Sequence, residues 1–318
     1  MFPFRSPDIA PASGNLLSGK WSNTIPSIKF IFARMLLKIC ADIPLPAVHG
    51  LARIYAKLSY LFPTRAKSTT RINLGHCFPE MTSAERDRLV RLSLKNTAMT
   101  ALEMGKAWFW PMERTLGMIR EIEGAEILQR ALDDKKGAIV LAPHLGNWEV
   151  FGFYVSEQAP ATFLYQPPRD PTLDQLIKQA RTRGKVRLAP TNRQGVAELF
   201  RALKRGEIAG ILPDQEPPLE SGIFADFFGV PALTMTLVAK LVERTGARVI
   251  CGFARRLPDG KGFKLEIIEA DSQIYSEDTA ISVMALNKTV ESCVRLAVEQ
   301  YQWEYKRFKR RPDGGRFY

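Results

Sequence analysis

"GAIVLAPHLGNWEVFG" (Gly137–Gly152) changes its periodicity halfway. Ala138–Ala142 is an unbroken apolar run, too short for a helix and containing β-branched residues, which suits a strand covered on both faces. Pro143 stops the run, and His144 follows at once. Gly146 permits a tight turn, Asn147 can cap a helix, and the residues from Trp148 onward begin one. The order is strand, turn, helix. In open α/β sheets the carboxyl ends of strands are where reacting groups collect.

The same order recurs downstream. "ATFLYQ" (161–166), "VRLAP" (186–190), "IAGILP" (208–213), "RVICGFARRL" (248–257) and "FKLEIIEA" (263–270) read as strands. Between and after them, helical spacing is predicted for 172–184, 194–206 and 234–246, and for a long last helix over 279–308. Upstream, 82–110 is a long helix, with Thr82 or Ser83 as its cap and Glu85 completing a capping box. Strands alternating with helices predict an α/β/α sandwich around a mixed, largely parallel sheet. The chain has no P-loop, no dinucleotide-type glycine loop and no GxSxG nucleophile elbow.

Lys and Arg number 45 against 33 Asp and Glu, a net charge of +12. A basic balance implies acidic partners. Nucleic acid is set aside because no recognition motif or stacking platform accompanies the charge. The four cysteines, Cys40, Cys77, Cys251 and Cys293, form no CxxC pair. They are expected to be small core residues in a reducing compartment, without a metal site.

Residues 1–26 are rich in Pro, Ser, Gly and Asn and read as a leader, without the apolar core of a signal peptide. Residues 27–75 follow as a hydrophobic and basic helical segment. Ile28, Ile31, Phe32, Met35, Leu36 and Ile39 share one helical face, flanked by Lys29, Arg34 and Lys38. "IPLPAVHGLARIYAKLSYLFP" (43–63) continues in the same style, with Arg53 and Lys57 one turn apart. Apolar faces bordered by cations suit an anionic membrane surface; a hairpin packed on the core is the alternative. No run of about 18 uncharged apolar residues predicts a membrane span.

The chemistry centres on His144 and Glu149. Residues five apart on a regular helix are rotated by about 140° and do not share a face. With His144 in the turn and Glu149 in the first helical turn, the two can meet. A carboxylate on one ring nitrogen fixes the tautomer, and the other nitrogen takes a proton from a hydroxyl. Taken alone, the spacing fits this unit or an ordinary loop histidine.

The surrounding blocks carry a resemblance. "PHLGNWE" resembles the HX4D/E block of the bacterial lipid A biosynthesis acyltransferases, the late lauroyl and myristoyl transferases of the lysophospholipid and glycerolipid acyltransferase superfamily. "RINLGHCFPEMTSAERDRL" (71–89), "LYQPPRDPTLDQLIKQAR" (164–181), "ILPDQEPPLESGIFADFFGVPALTMT" (211–236) and "QYQWEYKRFKRRPDG" (300–314) resemble further blocks of that family, in the same order. The likeness spans roughly 28–318, with 76–318 as the acyltransferase domain.

The resemblance implies transfer of a fatty acyl chain from acyl carrier protein to a hydroxyl of a lipid A precursor, or of another glycolipid or lipoamino acid. A non-catalytic lipid-binding protein of the same fold is the remaining alternative. His144 is then the general base and Glu149 its partner. The donor thioester is already activated, so no enzyme nucleophile, metal or cofactor is implied. Arg181, Asp214, Gln215, Arg169 and Asn147 are the expected substrate-binding residues. Gln166 departs from the Arg or Lys of many members, and Arg169 is the nearby cation. Phe227, Phe228 and Thr234 are expected along an acyl groove. Arg307, Lys309 and Arg310, from a run of five cations in "KRFKRR" (306–311), are expected at phosphate or headgroups. The implied place of work is the cytoplasmic face of the bacterial inner membrane.

Overall fold

A computed structural model describes residues 28–318 apart from 169 and 184. The predicted leader and Arg169 lie outside the described residues. Four helices open the fold: α1 (Ile28–Asp42), α2 (Leu45–Leu61), α3 (Arg65–Cys77) and α4 (Ser83–Phe109), followed by the short α5 (Met112–Leu116). The alternating part comprises β1 (Ile119–Glu123), α6 (Ala125–Asp133), β2 (Ala138–Leu141), α7 (Trp148–Gln158), β3 (Ala161–Tyr165), α8 (Pro171–Arg181), β4 (Val186–Pro190), α9 (Arg193–Lys204) and β5 (Ile208–Ile211). The remainder comprises β6 (Gly222–Phe227), β7 (Val230–Met235), α10 (Leu237–Thr245), β8 (Arg248–Arg256), β9 (Phe263–Glu269) and α11 (Thr279–Leu296).

Seven strands form one sheet in the order β1-β9-β8-β2-β5-β3-β4, and β6–β7 form a separate antiparallel hairpin. All neighbours in the large sheet are parallel except β8 and β9. The α/β/α expectation therefore holds. β2 shows why: Ile139 and Leu141 enter a core with Leu199, Leu203, Val238 and Leu286, while Ala138 and Val140 enter another with Leu128, Val150 and Phe151. Successive strand side chains point to opposite faces, and here helices cover both.

α4 begins as predicted. The Thr82 side chain accepts from the Glu85 backbone, and the Glu85 carboxylate accepts from the Thr82 N–H at 2.9 Å. α1 and α2 lie against α4. The approach of α1 is close enough that a Cβ on Gly105 would sit 2.2 Å from the Leu37 carbonyl oxygen. The Lys106 ammonium, buried beside it, donates to the carbonyls of Ala41 at 3.1 Å and Ile43 at 2.5 Å, tying down the end of α1.

The apolar stripe of α1 does not face this contact. Phe30, Cys40 and Ala41 are buried, whereas Ile28, Ile31, Phe32, Met35, Leu36 and Ile39 are all exposed. Leu51, Ile54, Tyr55, Leu58, Leu61 and Phe62 extend the exposed apolar surface along and just beyond α2. Among the described residues no helix is long and apolar enough to cross a membrane.

Two predicted helices need correction. Residues 234–246 begin as strand: Thr234 and Met235 pair with Ile223 and Gly222, and the helix starts only at Leu237. The last helix ends at Leu296 rather than continuing to 308. Beyond it, Tyr301 bridges Leu145, and the Gln302 N–H donates to the His144 carbonyl at 3.0 Å, so this segment spends its backbone groups on the turn after β2. The predicted core cysteines are all buried and unpaired.

Candidate active site

β2 and β5 are adjacent and parallel, with Leu141 opposite Ile211. His144 follows Leu141 by three residues and Asp214 follows Ile211 by three. Equal offsets from paired strand ends place the two side by side. The Asp214 carboxylate accepts from the His144 backbone N–H at 2.8 Å and lies 2.9 Å from Nδ1. An ionised carboxylate only accepts, so Nδ1 carries the hydrogen and Nε2 of the neutral ring presents its lone pair. The Gln215 side-chain amide is 3.2 Å from Nε2. Trp148 meets the ring edge-on, with centroids 5.0 Å apart. Burial opposes the Asp214 charge, yet the adjacent imidazole and the bonds from His144 hold its carboxyl below the ordinary range.

Glu149 is placed differently from the pairing expected on spacing. It is buried, and both its oxygens take the Arg181 guanidinium, with Nε–H donating at 3.0 and 3.1 Å and a further contact through the terminal nitrogen. Burial works against the Arg181 charge, but Glu149 more than offsets it and raises the group above its usual value. The carboxylate on the His144 ring is therefore that of Asp214, while Glu149 joins the start of α7 to the end of α8. Asp174, one face of α8 earlier, bonds the Tyr165 hydroxyl and Lys178 instead of Arg181.

The turn itself is tightly held. Gly146 has φ +58°, and a Cβ there would lie 2.2 Å from the Ala254 carbonyl oxygen. Its N–H donates to the Gln300 carbonyl at 3.1 Å. Asn147, expected at substrate, is fully buried and caps α7 by accepting from the Val150 N–H at 3.1 Å. Its amide donates to Glu103 at 3.0 Å. Glu103 also receives the Arg256 guanidinium and, at 2.6 Å, the His49 ring. This buried cluster was not foreseen from sequence, because its members come from α2, α4, β8 and the turn. Burial pushes the Glu103 carboxyl up, but Arg256 and His49 overcome this and hold it at about 2.

The expected acyl groove is also corrected. Phe227, Phe228 and Thr234 are buried in the core, the two rings against Tyr301, Trp303, Phe308 and Phe78. Thr234 shares its hydroxyl with Asn287 and Arg307. Arg307 is itself buried and donates to the Leu233 carbonyl at 2.6 Å, so it pins the hairpin rather than meeting headgroups. Lys309 and Arg310 do line an open cleft, which Arg65 of α3 shares. The apolar slot beside the site is elsewhere. Trp148, Gly152, Phe153, Phe163, Val186 and Leu212 line it, and it borders Glu149 and Arg181.

A protected carboxylate–imidazole pair whose second nitrogen meets only the exposed Gln215 amide, next to an apolar slot, is competent to activate a hydroxyl toward an acyl group. Relatives agree. Residues 18–310 match the sequence profile of the bacterial lipid A biosynthesis acyltransferases. The chain is 31% identical over 279 residues to the lipid A biosynthesis lauroyltransferase of Escherichia coli K12, covering 87% of this chain and 90% of the relative. It is 29% identical over 286 residues to the palmitoleoyltransferase of the same organism, covering 89% and 92%. The myristoyltransferase of that organism is 26% identical over 268 residues, covering 82% and 81%. The chain therefore belongs to the bacterial lipid A biosynthesis acyltransferase family and is an acyltransferase.

Proposed function

We propose that this protein transfers a fatty acyl chain from acyl-acyl carrier protein to a hydroxyl of a lipid A precursor, with His144 as general base. The observation that carries the reading is the Asp214 carboxylate on Nδ1, which leaves Nε2 facing only the displaceable Gln215 amide. Nε2 takes the acceptor's hydroxyl proton as its oxygen attacks the thioester carbonyl. The tetrahedral intermediate collapses by breaking the C–S bond, and the imidazolium returns the proton to the leaving thiolate. Asp214 stabilises the imidazolium in between. Glu149 and Arg181 act together, holding the entrance of the slot that takes the acyl chain. Gln215 gives way to the acceptor.

The exposed apolar face of α1 and α2 lies on the inner membrane, with Arg34, Lys38, Arg53 and Lys57 toward anionic headgroups. Residues 27–75 thus serve as the docking segment, bringing the site to a lipid acceptor on the cytoplasmic face. The basic surface suits an acidic carrier protein.

The test is transfer by purified protein from an acyl carrier protein thioester to a lipid A precursor. His144→Ala should lose nearly all turnover, and Asp214→Asn should lower kcat by roughly 10²–10⁴ with little change in KM, since it disturbs tautomer and charge but not shape. Retention of wild-type turnover in His144→Ala would remove the mechanism. In cells, deletion should leave lipid A short of one acyl chain by mass spectrometry.

A further inference from the structure

Beyond α11 the chain returns to the turn that carries His144. The Gly146 N–H donates to the Gln300 carbonyl at 3.1 Å, Tyr301 bridges Leu145, and the Gln302 N–H donates to the His144 carbonyl at 3.0 Å. This segment thus holds the backbone beside the imidazole. Two of its side chains act on the carboxylate instead. The Tyr301 hydroxyl reaches Asp214 from within the core, where the ring packs against Phe227 and Trp303 with centroids 6.0 and 4.9 Å away. Burial and the Asp214 charge push the phenol well up against the pull of Arg307, so it keeps its proton and is a donor to the carboxylate.

Arg307 is the second. It is 3% exposed, and its guanidinium donates to neutral oxygens, the Leu233 carbonyl at 2.6 Å and the Thr234 hydroxyl at 2.8 Å. Its Nε has no hydrogen-bond partner among the described residues. Pinning a hairpin does not require a charge, and a buried charge is costly unless an opposite one offsets it. Burial pulls Arg307 down, while Tyr301, Asp214, Tyr305 and Glu216 oppose that. Asp214 is in the converse position. It is 4% exposed, and the ring it touches is neutral before the reaction. A buried anion and a buried cation are therefore linked through Tyr301, with which both interact. In a low dielectric such charges act on each other beyond hydrogen-bond reach.

We propose that Tyr301 and Arg307 are positioning residues for the transfer reaction: the phenol restrains the Asp214 carboxylate and the guanidinium balances its charge, so that His144 meets the acceptor hydroxyl as a neutral ring with Nε2 outward. The proposal rests on the base role given to His144 above. Loss of either group favours a proton on the pair. Removing the phenol takes a donor from the carboxylate, and removing Arg307 takes away a cation that disfavours an imidazolium nearby. Both changes should make the Asp214–His144 pair take up its proton at higher pH, as one coupled unit. The other titratable groups around the pair are Glu216, Glu304, Tyr305 and Cys251, with the Glu149–Arg181 pair at the start of α7. All of them stay the same in the variants below.

The test uses the full chain in neutral detergent and the variants Tyr301→Phe, Arg307→Met, Arg307→Lys and Thr234→Val. Proton NMR of the three histidine rings, assigned by replacing His49 and His76 singly, follows proton uptake at His144 without any turnover. In Tyr301→Phe and Arg307→Met the midpoint of that uptake should rise by about 0.5–1 pH unit, and the acid limb of kcat/KM should move with it. In both, kcat should fall about tenfold with KM kept within about twofold. Arg307→Lys keeps the charge and should recover most of the loss. Thr234→Val loosens the hairpin and keeps every charge, so its denaturation midpoint should fall while its proton uptake matches the parent. An unmoved midpoint in Tyr301→Phe overturns the proposal, and this variant decides alone where Arg307→Met does not fold. A shift of equal size in Thr234→Val also overturns it, by tracing the effect to hairpin packing. Wild-type turnover in His144→Ala would remove the mechanism itself, whereas an unmoved midpoint with His144→Ala inactive removes only the roles of Tyr301 and Arg307.

Discussion

At the scale of single residues, the His144 ring is held by a neighbour 70 positions away, and the proposed mechanism depends on that contact. The imidazole needs a carboxylate on one nitrogen, and two acids near the turn qualify by type. Glu149 is nearer in sequence, but its carboxylate is neutralised by Arg181, so it is spent. Asp214 is free to hold the ring. A second residue of consequence is Gly152, on the α7 face toward the slot. A Cβ there would reach only the Phe163 ring, at 3.9 Å. A larger side chain would fill the slot without straining the helix backbone. Gly152→Leu should therefore shift donor preference toward shorter acyl chains, seen as a change in the ratio of kcat/KM between a short and a long thioester. An extra methylene or two in an apolar pocket is worth about 1–3 kcal/mol, so the ratio should move by roughly tenfold or more. An unchanged ratio would place the acyl chain elsewhere.

At the scale of elements, the amphipathic pattern of α1 and α2 was legible from sequence, and its partner was not. Periodicity identifies an apolar stripe but is silent on what covers it. The stripe faces away from α4, because close approach occurs through small residues, Gly105 on α4 and Cys40 and Ala41 on α1. Ile54 and Leu58 are 59% and 55% exposed, so changing both to Glu removes no core contact. If they insert in lipid, the pair contributes about 3 kcal/mol or more, and the double variant should partition into anionic vesicles roughly a hundredfold less, by co-sedimentation. The same lesson applies to the element after α11. Residues 297–308 carry helical spacing, yet they leave the helix because the turn at His144 needs their backbone groups.

At the scale of the whole molecule, the buried Glu103 cluster joins α2 and α4 to the turn that carries His144. His49 comes from α2, Glu103 from α4, Arg256 from β8, and Asn147 caps α7. Thr100 adds a bond to the Gly146 carbonyl at 3.0 Å. Replacing Glu103 by Gln leaves Arg256 buried without its counter-charge and should cost about 3–5 kcal/mol by denaturant titration near neutral pH. The pH dependence follows from a carboxyl held at about 2, below its usual value near 4.5. A depressed carboxyl contributes stability above its unfolded value and loses it as pH falls toward the folded one. Wild-type stability should thus decline between about pH 4.5 and 2, with Asp214 acting in the same direction, and Glu103→Gln should flatten part of that decline. An unchanged slope would show that the cluster is not the acid-sensitive element.

The sequence by itself determined the strand–turn–helix at His144, the α/β/α layering, the capped start of α4 and the basic, apolar character of the first helices. Those features rest on local periodicity and on residue chemistry that acts within a few positions. Only the tertiary structure decided that Asp214 rather than Glu149 holds the imidazole, that Phe227, Phe228 and Arg307 are core, and that Arg65 from α3 shares one cleft with Lys309 and Arg310 from the segment after α11. Each of these depends on strand register or on segments far apart in the chain meeting in space. Local propensity does not encode such meetings; the packing of a sheet between two helical layers does.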